Sequence, residues 1–527
     1  MSTIDKVLDG YSAKVFKNRK AHIGEISEEA PELTSNVRTI PGIMTNRGCC
    51  YAGCKGVVLG PLKDVAVITH GPIGCGFYTW GTRRHKGKSD ENTQNFLEYC
   101  FSTDMQEGDI VFGGEKKLKQ AIKEVVELFS PKSIMICSTC PVGLIGDDIH
   151  AVAKEAEALY GIKVLAFSCE GYKGVSQSAG HHIANNGLMK NVIGTGSYVP
   201  KKFSINLLGE YNIGGDGWEI SRVLKKIGYD IVSVMTGDGS YEELKSAHTA
   251  DLNIIQCHRS INYIGEMMKT KYGTDWLKVN FVGVDGTIES LRSIAKYFGD
   301  EDLIERTEEI IAEELQDIEE YMELYKNKLT GKTAALFVGG SRSHHYQNLL
   351  ESLGMKTLLA GYEFAHRDDY EGSEVVPFMK VDADSKNIEE LKLEKDPEKF
   401  RLVIPEERYA QLKDEIALNY YGGMEKSMDK GAIVVDDLNH YETEEFLKLL
   451  KPDIFFSGIK DKFVAQKGGV LSRQLHSYDY SGPYAGFKGA VNFARDVTMG
   501  IYTPAWNYTV APWKKEPILE GTLGGVV

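Results

Sequence analysis

Eleven short apolar runs, separated by amphipathic helical stretches, constrain this chain more than any other feature. They fall at 64–69 (DVAVIT), 133–137 (SIMIC), 163–169 (KVLAFSC), 204–211 (SINLLGEY), 230–237, 252–257, 276–283, 333–340, 355–364, 432–437 and 453–459. Each has the length of a buried strand. The stretches between them, such as EKKLKQAIKEVVELF (115–129) and DDIHAVAKEAEALYG (147–161), place apolar residues at helical spacing. Such alternation implies an α/β chain with parallel sheets flanked by helices on both faces. The strands are too many for one sheet of ordinary width, so two or three domains are expected. Boundaries are expected near Pro200 and at the end of the charged helix near Leu329. Residues 375–430, dense in Lys and Glu, break the alternation and read as a surface insertion.

Of 527 residues, 42% are hydrophobic and 26% charged, the balance of an ordinary globular protein. A net charge of −14 without a long basic stripe argues against a nucleic-acid partner. No apolar run reaches spanning length, which argues against a membrane helix. The start, MSTIDKVLDGYSAKVFKNRK, lacks the apolar core of a secretory signal, so a reducing cytoplasm is expected. Structural disulfides are rare there, and nine cysteines cannot all pair.

This bears on NRGCCYAGCKG (46–56), where Cys49, Cys50 and Cys54 crowd together. A disulfide staple, a closed zinc site and one wall of an iron–sulfur centre are the three readings. Zinc sites usually repeat a close cysteine pair, and no matching pair follows downstream. Cys49, Cys75 in HGPIGCG and Cys140 in STCPVG instead lie in loops beside Gly or Pro. There the backbone can curl around a cluster sulfur. Cys50, Cys54, Cys100, Cys137 and Cys169 read as small buried side chains.

In parallel α/β sheets ligands collect beyond the carboxyl ends of the strands. The residues just past these runs are unusual: Cys257, Tyr211, Gly339 and Gly340 with Arg342, Glu363 and Phe364, and Lys460. Thiol, cations and close-approach glycines in one topological place favour a large anionic, metal-containing ligand. Neither GGSR (339–342) nor NIGGD (212–216) has the spacing of a dinucleotide fingerprint or a phosphate loop.

Nine motifs in order carry a resemblance over nearly the whole length: HGPIGCGFYTWGTRR, CPVGLIGDDI, EGYKGVSQSAGHHIAN, GEYNIGGD, QCHRSINYI, GGSRSH, GYEFAHRDDY, SGIKDKF and QLHSYDYSGPY. With them the chain resembles the α subunits of nitrogenase, most closely the molybdenum–iron form. The resemblance implies three Rossmann-like α/β domains, 1–200, 201–330 and 331–527, with the cofactor between them. It also implies an α2β2 assembly with a homologous β subunit. Cys49, Cys75 and Cys140 would bind the 8Fe-7S P-cluster, shared with that subunit.

Cys257 and His476 would hold the iron–molybdenum cofactor and its homocitrate, thiolate on iron and imidazole on the harder molybdenum. Arg83, Arg342 and Lys460 would supply positive charge, and Gly339 and Gly340 backbone amides. Tyr211, Arg259, Ser260, Glu363, Phe364 and Gln474 would complete the cofactor's surroundings, Gln474 on the homocitrate side. Gln177, His181 and Val57 would face the reacting side. His181 would serve there as a proton relay or a hydrogen-bond donor to sulfide, and Val57 would limit substrate access.

Electrons would come from an ATP-hydrolysing iron protein, through the P-cluster to the cofactor, where N2 and protons yield ammonia and H2. Tyr478 and Asp461 depart from the common Trp and Glu. The insertion is expected to influence docking of the iron protein. Two other readings stay open: a non-enzymatic scaffold for cofactor assembly, and a vanadium or iron-only nitrogenase.

Overall fold

The structure is a computed structural model that describes residues 2–27, 33, 34, 36, 39–89, 94–174, 176–257, 261–338, 343–362, 379, 380, 388, 391–420, 430–458, 461–475 and 481–503. Two short strands come first, β1 (Ile23–Glu25) and β2 (Leu33–Thr34). The first sheet follows, β3 (Ala66–His70), β4 (Ser133–Ser138) and β5 (Lys163–Phe167), parallel and in sequence order. The second comprises β6 (Ser204–Glu210), β7 (Asp230–Thr236), β8 (Leu252–Ile255) and β9 (Asp275–Lys278), all parallel in the order β7-β6-β8-β9.

The third sheet holds β10 (Thr333–Phe337), β11 (Lys356–Tyr362), β13 (Ile433–Asp436), β14 (Ile454–Ser457) and β15 (Leu471–Gln474), while β12 (Met379–Lys380) pairs with β2. Its order is β1-β13-β11-β10-β14-β15, parallel except for β1. The chain is therefore mixed α/β with parallel sheets flanked by helices, as the alternation predicts. All eleven apolar runs overlap a strand. The weakly apolar β1 and β15 escape the pattern; LSRQ becomes a strand only through parallel pairing with β14.

The order reverses at two points. β6 lies between β7 and β8, and β10 lies between β11 and β14. At such a reversal neighbouring connections leave in opposite directions, opening a crevice beyond the carboxyl ends. Tyr211 and Cys257 follow the strands of the first crevice. Residues 339–342 and 459–460 follow those of the second.

The amino-terminal segment packs on the third sheet. Ile4, Val7, Leu8 and Ile23 share a core with Phe337, Leu359, Val435, Phe446 and Phe455. Buried Arg19 clasps Glu442 with Nε and Nη2 at 2.6 and 2.7 Å. The long helix Glu301–Leu329 is capped by Asp300, whose Oδ1 accepts from Leu303 N at 3.0 Å. It buries Leu303, Thr307, Ile311, Glu314 and Ile318, a stripe at three- and four-residue spacing.

Residues 391–420 of the expected surface insertion are largely exposed yet anchored to the core. Leu412, Ile416 and Leu418 enter the core of the second sheet. Leu418 bridges Leu277 on edge strand β9, and Asn419 donates to Asp275 Oδ1 while its own Oδ1 accepts from Trp276 N. Arg401 N donates to Tyr272 O, and Arg408 donates to Lys296 O, filling carbonyls at two helix ends. The segment is a strap over an otherwise open edge. Its Lys and Glu excess hides the few apolar residues that anchor it.

Candidate metal centres

Cys49, Cys75 and Cys140 are all solvent-exposed, and none of the nine cysteines is in a disulfide, which removes the staple reading. Each of the three begins a helix. Cys49 precedes the turn that opens at Cys50; Cys75 lies in the first turn of Ile73–Gly81; Cys140 opens Cys140–Ile145. A helix N-terminus favours negative charge, so all three positions suit thiolates or an anionic cluster. The thiols also feel one another: burial raises the Cys75 pKa, and Cys49 and Cys140 raise it further. Gly171 lies against two of them, where an added Cβ would come 2.9 Å from Cys140 Sγ and 3.6 Å from Cys49 Sγ. This is a glycine-lined cradle at the surface, suited to a group larger than one ion.

Behind Cys49 the chain runs as a π-helical segment, Ala52–Leu59, closed by Gly60 N donating to Lys55 O at 2.7 Å. Such wide turns are rare and favour functional positions. Helix Gln177–Asn191 packs on it backbone to backbone. A Cβ on Gly53 would come 1.9 Å from Gln177 O, and one on Gly180 1.9 Å from Cys50 O. The glycines of AGCKG and SAGHH thus let two elements meet, and their meeting places Gln177 and His181 near the segment bearing Val57. Val57 is half-buried; His181 is buried and its ring stacks on Tyr211 at 6.3 Å.

Arg83 joins this wall to the second sheet. Its Nε donates to Gly56 O at 2.8 Å and its Nη1 to Tyr211 O at 3.2 Å. At the β6/β8 crevice Cys257 is buried, 5% exposed. Gly209, with φ +73°, makes room for it; a Cβ there would come 2.7 Å from Cys257 Cβ.

His476, Arg259, Ser260, Gly339, Gly340, Arg342, Glu363, Phe364, Lys460 and Tyr478 lie outside the described residues. Their described neighbours Val338, Tyr362, Leu475, Tyr211 and Cys257 are all buried and belong to the largest continuous core of the described residues. Gln474 ends β15 in register with Ser457, half-buried. Asp461 is buried 3.3 Å from His440 Nε2. The donor set, a buried thiol at a crevice walled by an arginine and a histidine, fits an anionic metal–sulfur group.

Sequence reading misses one grouping. Of the five cysteines taken as buried, Cys100 is half-exposed, and Cys54, Cys137 and Cys169 converge on one point. Nothing in their spacing signals this, because three separate elements carry them.

Comparison with known proteins bears on what the centres hold. A family model described as "Nitrogenase component 1 type Oxidoreductase" matches residues 49–502. A protein of Clostridium pasteurianum named "Nitrogenase molybdenum-iron protein alpha chain" is 61% identical over 515 residues, 97% of this chain and 96% of its own. A Methanosarcina barkeri protein of the same name is 54% identical over 518 residues, covering 98% and 97%. The solved structure "Nitrogenase Cp1 at pH 6.5" superposes with a TM-score of 0.92 at 60% identity, over 97% of this chain and all of that one.

Proposed function

The chain belongs to the nitrogenase component 1 family of oxidoreductases, as a catalytic α subunit of the molybdenum type, and from that premise we propose how its residues serve the reduction of N2 to ammonia with H2 release. Membership implies metal–sulfur clusters and a β-subunit partner. Cys49, Cys75 and Cys140 bind the 8Fe-7S P-cluster, and the β subunit of an α2β2 assembly supplies the other ligands. Their exposure in the isolated chain supports this: thiols shared across an interface must lie at the surface.

Cys257 and His476 hold the iron–molybdenum cofactor with homocitrate. When bound, that cofactor supplies the metal sites at which N2 takes up electrons. The rest is the work of the chain. Arg83, Arg342 and Lys460 offset buried negative charge, which would otherwise be costly to desolvate. Gly339 and Gly340 let backbone amides approach sulfide. Tyr211, Arg259, Ser260, Glu363, Phe364 and Gln474 shape the cavity. Val57 narrows the approach over one face, and His181 holds or delivers a proton there, with Gln177 beside it.

An ATP-hydrolysing iron protein docks on the complex, and ATP stays with that partner. The protein works in the cytoplasm; no described helix is long and apolar enough to cross a membrane.

The carrying observation is the placement of buried Cys257 at the β6/β8 crevice, beside which Arg83 donates to Tyr211 O beyond β6. Acetylene reduction by the purified α2β2 complex with its iron protein tests the reading. Ethylene formation that requires ATP and is lost in Cys257→Ala is expected. A complex that carries cofactor yet reduces nothing would be a scaffold instead.

A further inference from the structure

Cys54 on the π-helical segment, Cys137 on β4 and Cys169 beyond β5 point their sulfurs at a common centre. All three are 0% exposed, and their Sγ atoms lie within 4.8 Å of one another. The cysteines assigned above to the P-cluster are exposed, so this is a different place. Metal–thiolate bonds of about 2.3 Å set the sulfurs of a trigonal plane about 4 Å apart, so closing on an ion needs under about 1 Å of movement.

The charge around the group is unusual. Lys55, adjoining Cys54, is 6% exposed, and no carboxylate forms an ion pair with it among the described residues. The nearby groups that favour its charge are the thiols of Cys137 and Cys100, while Arg83 opposes it. A buried ammonium needs a counter-charge. Burial pushes Cys137 up, but S–H groups of Cys169 and Cys54, with the Lys55 charge, outweigh burial and bring it below the ordinary thiol range. Cys169 Sγ also lies 3.6 Å from Ser138 O, which fixes its direction.

We infer that Cys54, Cys137 and Cys169 form a closed trigonal site for one soft monovalent cation, of the cuprous type. Ligand number and softness select the ion. Structural zinc takes four ligands, and among the described residues no imidazole or carboxylate joins the three sulfurs. Thiolates prefer soft ions, and three-coordination suits a monovalent d10 centre. Two thiolates, one thiol, one monovalent ion and the Lys55 ammonium sum to zero charge, a balance that a dry site tolerates. Starting from the Cys137 thiolate, uptake forms metal–sulfur bonds and releases one proton, with no change of oxidation state.

The test uses the intact α2β2 complex, anaerobic, with cuprous ion buffered by a bathocuproine competitor. Wild type is expected to take up one more copper per α chain than Cys54→Ser or Cys169→Ala, with iron content equal in all three. Equal uptake in wild type and variants overturns the inference. Crystals of the copper-treated wild type serve if the variants do not fold. Anomalous density at the copper edge between the three sulfurs upholds the site, and density only at other positions, or none, refutes it.

Discussion

Arg83 ties the second sheet to the π-helical segment: its Nη1 donates to Tyr211 O at 3.2 Å, beyond β6, while its Nε donates to Gly56 O at 2.8 Å on that segment. The guanidinium therefore fixes the wall carrying Val57 against the crevice carrying Cys257. Lysine cannot replace this fork, because an ammonium is a point donor. Arg83→Lys is expected to lower stability by about 1–3 kcal/mol, the usual cost of losing charge-assisted bonds at buried acceptors. It should also reduce substrate turnover per molybdenum. Chemical denaturation and activity normalised to metal content check both.

Gly171 bears on the surface cysteines alone. Gly171→Ala brings a Cβ to 2.9 Å from Cys140 Sγ. Iron bound at the P-cluster should fall, while molybdenum content stays near that of wild type. Gly108→Ala, with open space around its Cβ, is the matched control and should leave both unchanged.

Gly209 reports on the other centre. Gly209→Ala strains a φ of +73° and pushes on Cys257 Cβ at 2.7 Å. Molybdenum content is expected to drop with P-cluster iron retained, the reverse of Gly171→Ala. Elemental analysis of the two purified complexes reads the contrast directly.

Stability should fall in mild acid. His70 is buried between Thr103 Oγ1 at 3.1 Å and Asp147 Oδ2 at 3.0 Å, and burial holds its pKa below the ordinary 6.5 despite the carboxylate. The unfolded chain protonates this histidine first. Its contribution is thus complete above about pH 6.5 and is lost as pH falls from there through the folded value. Buried His22 and His248 shift the same way, again chiefly by burial. Denaturation midpoints between about pH 5 and 8 should decline toward acid, and His70→Gln should flatten the slope.

The strap is expected to hold the second sheet. Asn419→Ala removes bonds to Asp275 Oδ1 and Trp276 N, both at β9, and should cost about 1–3 kcal/mol through the groups left unsatisfied. Faster amide exchange across Asp275–Lys278 would mark the loosened edge.

Strand positions were legible because parallel strands are buried on both faces and read as plain apolar runs, as SIMIC and LNIIQC do. The position of Cys257 past its strand was legible for the same reason. Strand order was not: the reversals at β6/β8 and β10/β14 depend on pairing between distant segments, which leaves no local pattern. β15 was hidden because an edge strand needs little apolarity. The convergence of Cys54, Cys137 and Cys169 was hidden because each sits on a different element, and a buried thiol looks the same in sequence whether alone or in company. Gly53 and Gly180 carried a partial signal, since a glycine within a helical segment often marks close backbone approach.

The central claim is that Cys257 and His476 grip opposite ends of one molybdenum-containing cluster. Anomalous diffraction from crystals of the α2β2 complex, recorded on both sides of the molybdenum edge, tests it most directly. The account predicts one molybdenum per α chain, bonded to the His476 imidazole, with iron-edge density running from it to Cys257 Sγ. Molybdenum elsewhere, or a His476 ring turned away from the density that begins at Cys257, would contradict it.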